Sequence, residues 1–355
     1  MQQTKYLSAA LVVALAACSS TSTPLGVGQG AAPTNAGTIA PGIHRAITAS
    51  HGYKVSVFIR GTAKRFNPDP IVAQGNFFYV AFQNATNPDG TGGDSTIAQY
   101  TRNGTMVKSI HLPGRCDGMR WNPVTNVMWL TVTEDANSAL WTWNPSNDAI
   151  TPYSFSSAKH GGGYDDLAFT NGLAFIAASN PTLSPHGVNH GPALVSVVLK
   201  GKTAEVKAVL KGDAQATDIP TGNTVQLNLT DPDSLSITPS GDVLLVSQAD
   251  SEIVFIHNAG QGSQTVSRLL VGTQVDDTVY ATQSNGRLYV ADSKANAIYV
   301  VRGPLQSGSI YTEAPSDAGV AGFIGTVDAS TGIITPVITG FQSPTGLIFV
   351  PNGNR

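Results

Sequence analysis

Charged residues, cysteines and long apolar runs are all scarce in this chain of 355 residues. Asp, Glu, Lys and Arg together make up 12% of it, which excludes a coiled coil or a disordered polyelectrolyte because both need far more charge. The net charge is −3, so no basic excess exists to bind a phosphate backbone, and we expect no nucleic-acid partner. No apolar run approaches the ~20 residues that span a bilayer.

Glycine, proline and short apolar runs are plentiful instead. The chain has 37 Gly and 21 Pro, and 41% of its residues are hydrophobic. After residue 43, β-branched and aromatic runs alternate with Gly, Asn, Asp and Pro, a pattern typical of short strands joined by tight turns. The sequence therefore predicts a single all-β domain over residues 43–355.

The N-terminus has the pattern of an export signal. Lys5 precedes an apolar run from Leu7 to Ala17, which has the length of a signal-peptide core. The run ends in Leu-Ala-Ala-Cys18-Ser19, which resembles the bacterial lipobox, and this resemblance implies cleavage before Cys18 and acylation of that residue. The alternative is an ordinary signal peptide in which the cysteine falls there by chance.

A segment without charge follows, because residues 18–42 are mostly Ser, Thr, Gly, Ala and Pro. Such a segment buries too little apolar surface to fold, so we expect a flexible tether. We predict a signal peptide over residues 1–17 and an extracytoplasmic lipoprotein of the outer membrane that contacts the membrane through its lipid alone. Lipidation of Cys18 would leave Cys116 without a disulfide partner.

One short pattern recurs along the domain: an acid, any residue, and an apolar residue that opens a strand. The copies begin at Asp69, Asp117, Asp165, Asp233 and Asp277, with Thr345 as a sixth copy that lacks the acid. Three of the intervals match a four-stranded propeller blade of ~40–50 residues, and two carry an insertion. The sequence predicts a six-bladed β-propeller in which each copy opens the innermost strand of a blade.

Each of the first five copies precedes a second apolar run that we expect to pair with it in the same blade. These runs are Phe77–Phe82, Val127–Val132, Leu173–Ala177, Val243–Ser247 and Arg287–Ala291. The sixth copy has too few residues after it for a whole blade. Because Tyr53–Arg60 alternates like a strand, we expect N-terminal strands to pair with the C-terminal strand and close the ring.

A family resemblance follows from these motifs. The segment from Leu288 to Ser293, followed by Asn-Ala-Ile-Tyr299, resembles the strand–turn–strand of NHL-type repeats. With the six copies, residues 53–350 resemble the six-bladed superfamily of gluconolactonase and regucalcin-like proteins, strictosidine synthase and paraoxonase. The resemblance implies a divalent cation, often Ca²⁺, at the top of the channel. Lactonases of that superfamily use a Glu at the start of the first blade, where this chain has Asn67-Pro-Asp69-Pro.

The repeated aspartates are the candidate metal ligands, together with Asp166 beside Asp165. Inner strands of a propeller begin at one face, so these carboxylates should converge on the channel mouth, where like charges raise one another's pKa. One interpretation is an oxygen-lined site for a hard cation such as Ca²⁺. The other is that each Asp accepts backbone N–H bonds in the turn before its own strand.

Three histidines near the third copy are candidate catalytic residues. His160 precedes three glycines and the Asp165-Asp166 pair, while His186 and His190 lie in the next long loop. They would serve as a general base beside a cation or as transition-metal ligands. The alternative is that they make local hydrogen bonds.

Two further features have two interpretations each. All four tryptophans, Trp121, Trp129, Trp141 and Trp143, fall in the second repeat and form either a stacking platform for a sugar or packing between blades. Residues 87–94 have the composition of a calcium-binding turn or of an ordinary polar loop.

The function predicted from the sequence is binding of a small ligand or protein partner at the acidic face, through Ca²⁺. A cation-dependent lactonase or hydrolase is the alternative, and a carbohydrate-binding surface protein is a third. Whether the protein is an enzyme stays open at this point, because no complete catalytic constellation can be assembled from the motifs.

Overall fold

Short apolar runs bounded by turn residues form the strands of this protein, as the alternating pattern predicts. The computed structural model describes residues 46–156, 160–316 and 321–352. No α-helix occurs in these residues, which confirms the all-β prediction. None of their elements is an apolar helix of membrane-spanning length. The signal peptide, Cys18 and the tether predicted from the sequence lie outside the described residues.

The strands are numbered in chain order. They are β1 (Thr48–Ala49), β2 (Lys54–Arg60), β3 (Pro68–Gln74), β4 (Phe77–Phe82), β5 (Asp94–Thr101), β6 (Met106–Pro113), β7 (Cys116–Asn122), β8 (Val127–Val132), β9 (Ala139–Asn144), β10 (Ala149–Phe155), β11 (Leu167–Thr170), β12 (Leu173–Ala177), β13 (Pro192–Lys200), β14 (Thr203–Lys211), β15 (Gln215–Asp218), β16 (Thr224–Gln226), β17 (Pro232–Ile237), β18 (Val243–Ser247), β19 (Glu252–His257), β20 (Thr265–Leu270), β21 (Thr278–Tyr280), β22 (Gly286–Asp292), β23 (Ala297–Arg302), β24 (Ile310–Ala314), β25 (Gly322–Val327), β26 (Ile334–Phe341) and β27 (Pro344–Pro351).

Four antiparallel units consist of strands that each pair with the next along the chain. β3-β4-β5-β6 forms one sheet. β7 to β10 and β11 to β14 form two more units, joined by a short parallel contact between β10 and β14. β17 to β20 form the fourth, which β15 and β16 extend at its outer edge.

The last two sheets interleave along the chain. β21 pairs with β24 in the order β21-β24-β25-β26-β1, whereas β22 pairs with β27 in the order β27-β22-β23-β2. The prediction that Arg287–Ala291 pairs with the fifth copy is therefore wrong. β21 has only three residues, whereas β27 pairs with β22 along nearly its whole length. The long insertion after β23 supplies β24 as the partner of β21.

The predicted N-terminal strand joins the same sheet as the C-terminal strand. β2 pairs with β23 at the outer edge of that sheet, so β22 and β23 lie between β2 and β27. The expected direct pairing between the N-terminal and C-terminal strands is not the one observed. The short strand β1 pairs with β26 in the neighbouring sheet.

We also call the last two sheets units, and we call one end strand of each unit its inner strand: the first strand along the chain in the four antiparallel units, and β21 and β27 in the last two. The inner strands are β3, β7, β11, β17, β21 and β27, and each contacts the next in this order, with β27 contacting β3. Their mutual contacts place the starts of all six strands around a common centre.

Apolar side chains between neighbouring units form the core, and the tryptophans belong to it. Trp143 is fully buried and packs edge-on against Tyr79 of the preceding unit, with a centroid distance of 5.6 Å. Trp121 also stacks against Tyr79, with a centroid distance of 6.3 Å, and Trp129 packs edge-on against Phe169 of the following unit. Trp129 and Trp143 are buried and therefore occupy the packing role that was one of the two interpretations of the tryptophans.

Candidate functional site

The starts of the inner strands line a cavity of about 140 Å³, which we call the acid cavity. Its charged lining residues are Asp69, Asp117, Glu134, Asp165, Asp166, Asp233, Asp276, Asp277, Arg115 and Arg120. All six aspartates predicted as metal ligands are in this set, and Thr345 lines the cavity from the sixth inner strand. The structure therefore brings the repeated positions together.

A β-bulge directs several of these side chains into the cavity. In four of the six inner strands, the pairing with the second strand skips residues near the strand start. Such bulges leave a residue unpaired and redirect its side chain, often next to a functional site. The residues that lie in the skipped positions and line the cavity include Asp69, Asp117, Asp233 and Thr345.

Two glycines allow neighbouring inner strands to approach closely beside the acids. A Cβ on Gly118 would lie 2.7 Å from the Cα of Asp166, and a Cβ on Gly346 would lie 2.2 Å from the carbonyl oxygen of Asp69. Because no other residue fits at these distances, glycine after the bulge position keeps the carboxylates of adjacent units close together.

Two carboxylates accept backbone hydrogen bonds from another inner strand. Asp166 Oδ2 accepts the N–H of Leu235 at 3.1 Å, and Asp277 Oδ2 accepts the N–H of Leu347 at 2.8 Å. Both leucines occupy the apolar position of a repeat copy, so the same contact occurs twice around the ring. These bonds join different units, which the interpretation as local turn capping does not predict.

Arg115 and Gln83 provide donors at the first two inner strands. Arg115 donates from Nε to Asp117 Oδ1 at 2.7 Å, and another of its nitrogens lies 3.5 Å from Glu134 Oε1. The amide of Gln83 donates to Asp69 and, at 3.1 Å, to Asp117. These charge-assisted bonds hold one side of the acid cavity.

The acid cavity holds far more negative than positive groups. Burial raises the pKa of five aspartates well above the ordinary value, and neighbouring carboxylates raise it further; these are Asp69, Asp117, Asp165, Asp233 and Asp276. Burial also raises the pKa of Asp166 to about 7, although Arg120 lowers it. At neutral pH the cavity must therefore retain protons or take up cations.

Several buried carboxylate oxygens have no donor. Asp166 is 4% exposed, and its Oδ1 has no hydrogen-bond partner among the described residues. Glu313 is fully buried with both carboxylate oxygens unpartnered, and its pKa is raised by burial and by the nearby charges of Asp277 and Asp69. An ionised carboxylate in such a place costs several kcal/mol unless a cation compensates it.

Three carboxylates have the spacing that one metal ion requires. Single oxygens of Glu134, Asp165 and Asp233 all lie within 4.8 Å of one another. Because Ca²⁺ binds oxygens at about 2.3–2.6 Å, two of its ligands lie at most about 5 Å apart. The residues present therefore fit a hard divalent cation.

Sequence reasoning missed the residues at the ends of the second strands. Gln83 follows β4, Glu134 follows β8, Gln248 follows β18, and Glu313 lies near the end of β24. In an antiparallel pair the end of the second strand lies beside the start of the first, so these side chains reach the same centre. A polar residue just after each second apolar run is the signal that would have found most of them. Asp276 was missed although Asp276-Asp277 repeats the Asp165-Asp166 pair.

The described part of the chain places none of the candidate histidines in the lining of the acid cavity. His160 is buried, its Nε2 lies 2.6 Å from the carbonyl oxygen of Gly163, and burial lowers its pKa. His190 pairs with Asp213 at 2.7 Å on the surface, and His186 is exposed. His160 and His190 therefore make hydrogen bonds outside the acid cavity.

The glycine run after His160 has a packing role. A Cβ on Gly163 would lie 1.8 Å from the carbonyl oxygen of Glu134, so glycine lets this loop press against the Glu134 backbone. The segment that supplies His160 thus helps to position a carboxylate of the acid cavity.

Cys116 and the polar loop at residues 87–94 show no ligand-binding geometry. Cys116 is fully buried, and burial raises the pKa of its thiol. In the loop, Asp89 Oδ1 accepts both the N–H and the hydroxyl of Thr91, at 2.9 and 2.7 Å. This oxygen is thus used within an ordinary turn.

No family model and no curated protein matches this sequence. Among solved structures, a protein of unknown function from Bacteroides caccae is 10% identical with a TM-score of 0.48, over 80% of this chain and 87% of that one. Virginiamycin B lyase from Staphylococcus aureus is 10% identical with a TM-score of 0.45, over 85% and 90%. The periplasmic gluconolactonase of Pseudomonas aeruginosa is 11% identical with a TM-score of 0.41, over 80% and 88%. Similarity at this level does not carry a function to this chain.

Proposed function

We propose that this protein is a six-bladed β-propeller that binds a divalent cation, Ca²⁺ in the first place, in the acid cavity at one mouth of its central channel. The sequence in which the inner strands contact one another supports this architecture, because β27 contacts both β21 and β3. The shared sheet of β2 and β27 supports closure of the ring by the two ends of the domain. Each antiparallel unit then corresponds to one blade.

The observation that carries the proposal is the uncompensated charge of the acid cavity. Eight carboxylates line it with two guanidinium groups, and the buried Oδ1 of Asp166 has no donor in the described residues. Glu134, Asp165 and Asp233 offer oxygens with the spacing of a single coordination sphere. A bound Ca²⁺ would supply the positive charge that these groups need in order to ionise.

The size of the acid cavity favours an ion over an enclosed substrate. Ligand pockets occupy about 300–1,000 Å³, whereas a single water needs only about 10–15 Å³. A cavity of about 140 Å³ has room for an ion with several waters. A larger ligand or a protein partner would place only a polar group in it, where the cation would bind that group.

Calorimetric titration of the purified full-length protein with Ca²⁺ tests the proposal. We expect one site per chain, with affinity reduced by about tenfold or more in Asp233→Asn, because a charged ligand is lost. Asp328→Asn is the matched control, since Asp328 is an exposed aspartate outside the acid cavity. Absence of heat and of any thermal shift at millimolar Ca²⁺ in the wild-type protein would eliminate the cation.

A lactonase of the cation-dependent type is the second candidate, and one observation favours it. Asp166 faces the acid cavity with a pKa raised to about 7 by burial, which is the range where a carboxyl group serves as a general acid or base. We expect Asp166→Asn to abolish turnover on a lactone panel, while Ca²⁺ still binds with lower affinity through Glu134, Asp165 and Asp233. A wild-type protein that hydrolyses no lactone or ester would remove this candidate.

We also propose that Cys18 is lipidated and that the domain works outside the cytoplasm at the outer membrane. The lipobox-like sequence before Cys18 supports this location. Metabolic labelling with palmitate should mark the wild-type protein but not Cys18→Ser. Equal labelling of both proteins would contradict the anchor.

A further inference from the structure

The ends of the inner strands opposite the acid cavity form a second cavity of about 520 Å³. Aromatic rings from four different inner strands line it, namely Trp121, Phe169, Tyr280 and Phe349. We call it the aromatic cavity. Each of these rings is only partly buried by the protein, so apolar surface faces the cavity.

The charge of the aromatic cavity is opposite to that of the acid cavity. Among its described lining residues, Arg120 is the one charged side chain, and Arg120 also lines the acid cavity. Its guanidinium group donates to Asp166 and to the carbonyl oxygens of Leu235 and Met119, at 2.9 and 3.1 Å for the carbonyls. The aromatic cavity therefore combines apolar walls with one fixed positive group and no carboxylate.

Polar groups on the wall have no acceptor within the described chain. The hydroxyl of Ser236 and the indole N–H of Trp121 are buried without a hydrogen-bond partner, and both residues line the aromatic cavity. An unsatisfied buried donor costs about 1–3 kcal/mol. Burial raises the pKa of Tyr280 to about 12, so its phenol also remains a neutral donor. The Ser236 and Trp121 groups are shielded from a ligand in the cavity, whereas Tyr280 lines the cavity and favours a ligand that brings an acceptor.

We propose that the aromatic cavity binds a planar apolar molecule that carries one anionic group. Its rings would pack against the aromatic side chains, and its anion would point toward Arg120, whose planar guanidinium suits carboxylates and similar anions. A volume of about 520 Å³ lies in the range of about 300–1,000 Å³ that is typical of small-molecule sites. This site lies at the other end of the inner strands and shares Arg120 with the acid cavity, but its proposal does not rest on a bound cation.

Fluorescence titration with 1-anilinonaphthalene-8-sulfonate tests the proposal on the full-length protein. We expect one site per chain, and binding of the uncharged analogue N-phenyl-1-naphthylamine that is weaker by about tenfold, because the bond to a charged partner is lost. Tyr280→Ala should weaken binding of the sulfonate by about fivefold through the loss of a ring contact. Thr282→Trp, at an exposed rim position of the cavity, should block it.

The matched control is Val124→Ala, which removes an apolar side chain that is 76% exposed and lies outside the aromatic cavity. Its affinity for the sulfonate should equal that of the wild-type protein. Near-UV circular dichroism establishes that each protein is folded, so that fluorescence does not come from a loosened core. Equal affinity for the two probes, several weak sites, or unchanged binding in both Tyr280→Ala and Thr282→Trp would overturn the proposal.

Discussion

Removal of divalent cations should make the stability of this protein fall as the pH rises. Burial raises the pKa of Asp166 from its ordinary value of 3.8 to about 7 in the folded protein. Between these values the unfolded chain has released this proton and the folded protein still holds it. The free energy of unfolding therefore decreases from about pH 4 to about pH 7.

The magnitude follows from that one carboxyl group. Each pKa unit is about 1.36 kcal/mol, so Asp166 contributes a loss of about 4 kcal/mol across the window. For a domain of ~300 residues with an unfolding entropy of about 2.1 cal/mol/K per residue, this lowers the melting temperature by about 6 °C. Burial also raises the pKa of Asp165 and Asp233 well above its ordinary value, so their contributions have the same sign.

Chemical unfolding at a series of pH values between 4 and 8, with a chelator and then with excess Ca²⁺, measures this dependence. Ca²⁺ should flatten the curve, because bound carboxylates ionise in the folded state. Burial lowers the pKa of His160, so this residue makes the free energy of unfolding increase with pH. This increase is the same with chelator and with Ca²⁺, so it cancels when the two curves are subtracted. A chelated protein whose stability rises over this range, with a curve that Ca²⁺ leaves unchanged, would refute the reasoning.

Three further outcomes are expected from variants of the fold. Gly118→Ala should destabilise the protein by about 1–3 kcal/mol, because its Cβ would meet Asp166. Gly262→Ala is the control, because nothing lies within 4 Å of its Cβ, and it should change the free energy of unfolding by less than about 0.5 kcal/mol. Trp143→Ala should cost about 3–5 kcal/mol in urea unfolding, since the fully buried ring leaves a cavity. Deletion of Tyr53–Arg60 removes β2 and exposes β23, so the whole domain should unfold, and a deletion variant with an unchanged thermal midpoint would contradict the closure of the ring.

The sequence could predict the inner strands because one residue type marks each of their starts. The acid-x-apolar pattern located five inner strands through Asp69, Asp117, Asp165, Asp233 and Asp277, and all five line the acid cavity. The pattern is local, since a bulge needs only a few neighbouring residues. It is therefore readable without knowledge of the strand order.

Strand partners could not be read in the same way. The run Arg287–Ala291 follows the fifth copy in sequence, yet it pairs with β27, which lies more than fifty residues further along the chain. Glu134 lines the acid cavity and Glu313 lies beside Asp277 because second strands end beside the starts of inner strands, which depends on pairing and register. Which distant strands pair depends on how well they complement each other along their whole length, so a short local pattern cannot predict the partners.

The sixth copy of the repeat separates the two interpretations of the repeated acids. Thr345 lies in a bulge of β27 at the position that Asp69 and Asp117 occupy in their own strands, and it also lines the acid cavity. The bulge therefore forms without a carboxylate, so the strand start does not require one. Carboxylates repel one another at such distances and lower stability as they ionise. Their presence in the other five copies thus needs a cause outside the strands themselves, which supports the proposal that a cation binds between them.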